Sequence, residues 1–373
     1  MKLLYLSNNR FPTEKAHGLQ IAKMCEAFLE AEVDLTLIVP RRKQTKHVPV
    51  DSAQVFYQLR VEVPVVRLWC IDFLTSKWVP RVLAYFLQSF TFGLRARLAL
   101  LGKRKEVIYT RTLLPLWGVR RARWFFEAHT FPKTPAGRKF QSIVLRGASG
   151  VVCISEGLKE KYEEILPHSV PILVAHDGVD LSIFSSLPEK DEARRRLGLP
   201  EDKKIVLYTG SPYKWKGVFT LAKATAKLND VLAVFVGGNE DEPELKSLSK
   251  KAEAARVIPY VPYGMVPDYL AAADVLAIPN SAKDPVGRED TSPLKLFEYM
   301  ATGKKILASD VPALKRVLSE ETAWFFKADD AADLRKELLI CLGSEQRRGE
   351  RAAEEARKYS WKKRVESILE FVS

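Results

Sequence analysis

Several residue groups have the types and spacing needed to hold an anion. In Thr291-Ser292-Pro293-Leu294-Lys295, running on to Glu298, Ser292 suits an N-cap and Pro293 the first position of a helix. Pro293 has no amide hydrogen, so Leu294 and Lys295 supply the next free N–H groups. Those amides, the positive end of the helix dipole and the Lys295 ammonium together favour a phosphate. Glu298 falls on the helical face of Thr291, about 10 Å further along, where a carboxylate can accept both hydroxyls of a ribose. An ordinary amphipathic helix, with Leu294, Phe297 and Met300 in a core and Glu298 solvated, accounts for the same pattern.

Lys214 and Lys216 lie in SPYKWKG between a strand and its helix, at a sheet edge beside a helix N-terminus. That position and charge suit a diphosphate, as they suit a solvated basic loop. Gly237 and Gly238 end another strand and allow close backbone approach by a flat or phosphorylated group, or simply punctuate the strand. His129 follows a strand in FEAHTFP, at the carboxyl edge where open α/β sheets bind ligands. It can donate to a sugar hydroxyl or a phosphate oxygen, or bond a neighbouring carbonyl as a structural residue. Gly18 sits ahead of the first helix, where a phosphate or sugar could approach the backbone, though no G-x-G-x-x-G fingerprint surrounds it.

These residues need strands and helices to place them. MKLLYLS reads as a buried strand, followed by a polar loop over 8–18, a helix over 19–30 and a strand over 33–39, the opening of a doubly wound parallel sheet. Further strands are expected at 61–68, 107–109, 124–127 and 150–154. After a division within 167–187, KIVLYTG restarts the alternation with strands at 204–209, 232–237, 257–260, 274–279 and 305–308. The expected fold class is α/β: two Rossmann-like doubly wound domains facing each other across a cleft.

A chain of 373 residues, 47% hydrophobic and 28% charged, fits two globular domains. The apolar region 79–101 is interrupted by Arg81, Gln88, Arg95 and Arg97, so it does not read as a membrane span. No secretory signal is read at the start, and four scattered cysteines form no metal or redox motif, which fits a reducing cytoplasm. Charge is lopsided: residues 1–170 carry 27 Lys and Arg against 14 Asp and Glu, whereas the remainder carries 32 of each. The basic half, with Trp69, Trp78, Phe86, Phe90, Trp117 and Trp124 among its arginines, points to an anionic membrane surface. No nucleic-acid motif accompanies it, so no nucleic acid is expected as a partner. Solubility charge explains the same excess.

Taken together, DTSPLKLFEYMATGKKILASD, GSPYKWKG, DGVDLSIF, YLAAADVLAIPNS and the closing YSWKKRVESILEFV resemble the GT-B-fold retaining nucleotide-sugar glycosyltransferases known as glycosyl transferases group one, family four. The resemblance runs over nearly the whole chain. It implies an N-terminal acceptor-side domain over 1–178, joined by 358–373 as the last helix crosses back, and a nucleotide-sugar-binding domain over 179–357. It places the family's ribose glutamate on Glu298 and its diphosphate lysine on Lys216. Its sugar-facing glutamate falls on Asp290, with Glu289 one place out of register. The usual arginine falls on Ser211, leaving Lys214, Lys295 or a first-domain arginine to compensate. His129 matches the histidine facing the donor sugar, and Gly18 the glycine loop near the phosphates.

The implied activity is retaining transfer of a sugar from a nucleotide diphosphate to a hydroxyl acceptor, lipid-linked or glycan, at the cytoplasmic membrane face. Neither a cofactor nor a metal is expected, since no Asp-X-Asp motif stands in a suitable loop. Two alternatives remain: a sugar-nucleotide epimerase on the same fold, and a non-enzymatic basic module that binds membrane or nucleic acid.

Overall fold

The computed structural model describes residues 1–373 except 49–51, 77, 104, 120, 121 and 253. Two compact units divide the chain, Met1–His176 together with Trp361–Ser373, and Asp177–Ser360.

The first unit is built on β1 (Lys2–Leu6), β2 (Asp34–Pro40), β3 (Val65–Leu68), β4 (Val107–Thr110), β5 (Arg123–Ala128), β6 (Gly150–Cys153) and β7 (Ile172–Val174). Their order in the sheet is β3-β2-β1-β4-β5-β6-β7, and every neighbouring pair is parallel. Runs such as LLYL and VIYT are apolar at every position because helices cover both faces of a parallel sheet. Two expected boundaries move. The strand expected from Val61 starts at Val65, because Pro64 cannot donate to the ladder and contributes only its carbonyl, which accepts from the Leu37 amide at 2.8 Å. The helix expected from Leu19 starts at Ala16 and runs to Glu30, which puts Gly18 inside its first turn.

The second unit contains β8 (Lys204–Thr209), β9 (Val231–Val236), β10 (Arg256–Ile258), β11 (Val275–Ile278), β12 (Lys305–Ser309) and β13 (Trp324–Phe326), in the order β10-β9-β8-β11-β12-β13 and again all parallel. Along β8, Ile205 and Leu207 enter one core while Val206 and Tyr208 enter the other, as a period of two requires. In both sheets the winding reverses once, between β1 and β4 and between β8 and β11. At such a switch point the loops leaving the carboxyl ends diverge and open a crevice for a ligand.

The terminal helix, Trp361–Val372, completes the first unit. Phe371 packs against Phe125 with ring centroids 5.6 Å apart. Arg364 is buried; it donates to Glu127 at 2.6 Å and to the carbonyls of Ala175 and His176. Removing one member of such a pair leaves the other charge uncompensated in a low dielectric. Arg364→Met is therefore expected to destabilise the first unit by about 3–5 kcal/mol in urea unfolding. A change below about 1 kcal/mol would mean that Glu127 does not need this partner.

Candidate functional site

At the switch point of the second sheet, β8 ends in Thr209-Gly210. The Tyr299 hydroxyl fixes that end, meeting the Thr209 amide at 2.8 Å and its hydroxyl at 3.0 Å. A single 3-10 turn, Lys214–Lys216, follows and is pressed onto the end of β11. The Ser281 amide donates to the Trp215 carbonyl at 2.9 Å, and a Cβ on Gly217 would lie 1.7 Å from the Pro279 carbonyl oxygen. Gly217 also has φ +64°, so a glycine is required there both by space and by backbone. The consequence is that the Lys216 side chain turns back toward Gly210.

From the other side comes the helix Leu294–Ala301. Lys295 is 6% exposed, its Nζ stands 3.4 Å from the centre of the Tyr208 ring, and that nitrogen has no hydrogen-bond partner. A Cβ built on Gly210 would lie 3.6 Å from the Lys295 Nζ and 3.8 Å from the Lys216 Nζ. Two ammonium groups thus converge over the backbone that ends β8. Burial, followed by repulsion from Lys216, holds Lys295 well below the usual ammonium range, with Glu298 acting in the opposite sense. Burial alone lowers Lys216 to about 8. Glu298, 7% exposed, is pushed up to about 7 by burial, against the pull of a 3.0 Å hydrogen bond from the Tyr263 hydroxyl and of Lys295. The first amides of the helix, Leu294 and Lys295, have no partner in the preceding turn. The glycines ending β9 crowd this floor: a Cβ on Gly237 would be 3.0 Å from the Gly210 carbonyl carbon, and one on Gly238 would be 2.7 Å from Pro212.

Lys216, Lys295, Glu298, Leu294, Gly237 and Gly238 are therefore gathered at one switch point. Other residues depart from the sequence reading. Ser292 does not cap the helix; its hydroxyl accepts from the Asp177 amide at 3.2 Å, and Pro293 holds the N-cap position without a side-chain bond. Thr291 does not share a helical face with Glu298, because it precedes the helix in extended backbone after a π-helical turn, Val286–Asp290. Lys214 is exposed, and Ser211 is half-buried with its carbonyl accepting from the Tyr208 hydroxyl at 3.0 Å. Asp290 is buried at the end of the π turn, whereas Glu289 is half-exposed and paired with Arg288 at 2.7 Å. Tyr208, Tyr263 and Tyr299 were not singled out from sequence, where they read as ordinary apolar positions.

In the first unit His129 directly follows β5, with its Nε2 3.3 Å from Glu127. Glu127 is buried and accepts from Tyr5 at 2.7 Å and Gln20 at 3.0 Å, besides Arg364. Burial would raise its pKa, but His129, Arg111 and Arg364 outweigh burial and hold it well below the usual carboxylate range. A carboxylate inside the apolar run RWFFEA was the available clue to this network. Gly18 is not open to a ligand at its α-carbon: a Cβ there would lie 2.2 Å from the Tyr57 hydroxyl and 2.4 Å from Thr13, so packing accounts for this glycine. Among the described residues no cluster of three or more His, Cys, Asp and Glu could hold a metal ion.

Two parallel Rossmann-like sheets, one with a buried and a half-buried lysine at its switch point, define a two-domain α/β protein of the GT-B fold class. Residues 189–359, within the second unit, match the model of the family described as Glycosyl transferases group 1. The Bacillus subtilis (strain 168) protein TuaC, named as a teichuronic acid biosynthesis glycosyltransferase, is 31% identical over 189 residues, 50% of this chain and 45% of that one. The matched stretch spans about half the length of such relatives. Among solved structures, sucrose-phosphate synthase from Thermosynechococcus elongatus superposes with a TM-score of 0.79 at 18% identity, over 99% of this chain and 98% of that one. Anabaena Alr3699/HepE in complex with UDP-glucose gives 0.75 at 16% identity over the same shares.

Lys295→Met should separate stability from binding. Removing a desolvated, unpartnered charge is expected to stabilise the ligand-free protein by about 1 kcal/mol while abolishing nucleoside diphosphate binding. The sign with pH follows from the lowered pKa: the unfolded chain holds its lysine protons to higher pH, so this destabilisation is full below the folded pKa and fades as pH rises toward 10.5. Denaturation of both proteins at neutral pH and near pH 10 checks it; a variant less stable at neutral pH would contradict it.

Proposed function

We propose that the chain transfers a sugar from a nucleotide diphosphate to a hydroxyl acceptor, lipid-linked or glycan, with retention and without a bound metal. The observation that carries this reading is the convergence of Lys216 and Lys295 on Gly210 at a switch point, with Glu298 one helical turn beyond Lys295. The diphosphate lies on the two ammonium groups and the Leu294 and Lys295 amides, while the Glu298 carboxylate accepts the ribose hydroxyls. As the bond from the anomeric carbon to the phosphate oxygen breaks, negative charge grows on the diphosphate, where these groups are already aimed. The acceptor oxygen bonds to the same face of the anomeric carbon and its proton passes to the leaving phosphate oxygen. By the family resemblance alone, His129 and the Glu289-Asp290 pair are each assigned to the donor sugar. The UDP-glucose complex of the similar Anabaena fold and the matched family domain support a nucleotide-sugar donor.

The same proposal sets the reaction at an anionic membrane face in a reducing compartment. All four cysteines are buried and free, and among the described residues no helix is long and apolar enough to cross a membrane. The helix Arg81–Ala99 exposes Val82, Phe86 and Phe90 at four-residue spacing, with Leu83, Leu94 and Leu98 beside them, and Trp78 just ahead is 95% exposed. Phe86 and Phe90 stack at 6.0 Å, and Arg95 lies over Trp69 at 5.9 Å. Apolar rings with interleaved arginines suit an interface of lipid and phosphate.

Glu298→Gln is expected to weaken nucleotide-sugar binding by about tenfold or more and to remove its fall below about pH 7, where the wild-type carboxyl takes up a proton. Calorimetry over a panel of nucleotide sugars measures this, and unchanged affinity would take Glu298 out of the site. Product analysis separates transfer from epimerisation: a glycosylated acceptor supports the reading, and an isomerised nucleotide sugar opposes it. Flotation with anionic and neutral liposomes tests the membrane face, with Phe86→Ser/Phe90→Ser expected to lose anionic-liposome binding.

A further inference from the structure

Beside the Glu298 carboxylate stands a tyrosine hydroxyl that the lysines and the helix amides do not account for. After β10 the chain runs Pro259-Tyr260-Val261-Pro262-Tyr263, where the two proline rings narrow the backbone choices. The Tyr260 amide donates to the Gly238 carbonyl at 2.8 Å, which ties the loop to the end of β9. Pro262 then opens a single 3-10 turn, Tyr263–Met265, closed by the Met265 amide on the Pro262 carbonyl at 2.9 Å. The turn sets the Tyr263 ring edge-on to the fully buried Phe184, with centroids 6.3 Å apart. A ring held by its backbone on one side and an aromatic partner on the other delivers its hydroxyl to one place, 3.0 Å from the Glu298 Oε1.

That hydroxyl acts on Glu298 through geometry and through charge. A carboxylate offers about four acceptor positions on its two oxygens. Tyr263 takes one on Oε1, and no described residue donates to Oε2, so positions for a vicinal diol stay open on a group whose orientation is already set. Burial pushes Glu298 up to about 7, while the Tyr263 hydrogen bond and then Lys295 favour the ionised form. Lys216 bears on Lys295. The other helices packed on Leu294–Ala301 add no charge: Leu181–Phe184 has no titratable side chain, Asp180 ahead of it bonds Ser182, and Arg348–Ala356 turns Gly349, Ala352 and Ala356 inward. Tyr299, next to Glu298, is raised above its ordinary value by burial and stays neutral.

We propose that Tyr263 is a positioning residue for the nucleotide ribose, its hydroxyl fixing Glu298 Oε1 so that the 2′ and 3′ hydroxyls meet one set acceptor. The proposal rests on the donor site described above and adds a residue to it. Without the Tyr263 oxygen, Glu298 is a carboxyl free to turn and protonated over more of the neutral range, and a protonated carboxyl is the poorer acceptor for a diol. The consequence is a preference for ribonucleotides that Tyr263 sustains near neutrality.

The test is calorimetry on the full chain, wild type against Tyr263→Phe, which keeps the ring on Phe184 and removes the oxygen. The probes are UDP, ADP and GDP, their 2′-deoxy forms and inorganic pyrophosphate, each near pH 6.5 and near pH 9. For a ribonucleoside diphosphate that binds the wild type, the variant is expected to lose about five- to tenfold near pH 6.5 and no more than about twofold near pH 9. The loss sits on the acid side because removing a hydrogen bond to the charged form raises the carboxyl. A smaller loss is expected for the 2′-deoxy form, which offers one hydroxyl fewer. Pyrophosphate, which reads the lysines and amides alone, is expected to bind both proteins equally. The same loss for every probe or at every pH would make Tyr263 a packing residue and overturn the proposal, as would no loss. Carbon-13 NMR titration of the Glu298 carboxyl reads the contact without any ligand: a higher midpoint in Tyr263→Phe is expected, and an unchanged one counts against it. If UDP, ADP and GDP all fail to bind the wild type, the donor site falls and this proposal with it. If one binds and the variant matches the wild type, Tyr263 alone leaves the site.

Discussion

Placing two ammonium groups in one poorly solvated pocket is unfavourable twice over, once for desolvation and once for repulsion. Beside Gly210, Lys295 bears both penalties and Lys216 that of burial, and no hydrogen bond to the Lys295 nitrogen relieves them. Much of the second unit is arranged to keep that geometry: the Tyr299 hydroxyl pins the end of β8, the Tyr208 ring faces the Lys295 ammonium, and Gly217 lets the Lys214–Lys216 turn close on Pro279. An arrangement that costs stability in the empty protein makes physical sense as preorganisation for a polyanion. On the function proposed above, a diphosphate would supply the counter-charge to donors that are already in place.

The first unit handles charge differently. Its buried carboxylate, Glu127, is over-supplied with donors, and one of them, Arg364, arrives on the terminal helix from the far end of the chain. The same sheet therefore depends on residues more than two hundred positions apart, and that dependence ties the last helix to the first unit. With Glu127 saturated, positive charge is left over at the neighbouring crevice, while the aromatic face of Arg81–Ala99 lies exposed on the same unit. The basic excess of residues 1–170 thus has two separate structural expressions, one concave and polar, the other exposed and aromatic.

Alternating apolar strands and helices made both parallel sheets legible, because burial on two faces imposes unbroken apolar runs such as LLYL and KIVLYT. Lys216, Lys295 and Glu298 were legible from their places at strand and helix ends, where free amides and loops meet. The roles of Ser292 and Thr291 were misread because helix-start rules consider neighbours in sequence only. Here the Asp177 amide, distant in sequence, takes the Ser292 hydroxyl, and the π turn before Thr291 keeps it out of the helix. The packing against Tyr57 and Thr13 that keeps Gly18 without a side chain was not legible either, because no local pattern reveals it. The tyrosines that shape the site stayed hidden because a tyrosine on an apolar face looks the same whether or not its hydroxyl holds a strand end.

If the lysine pair cradles a diphosphate, binding must change its protonation. Lys216 sits at about 8 and Lys295 well below its ordinary value, and a bound diphosphate would raise both. The decisive measurement is calorimetry of nucleoside diphosphate binding near pH 8.5 in buffers of different ionisation enthalpy, which counts protons exchanged. The expected result is net proton uptake on binding; tight binding with no proton uptake would contradict the account.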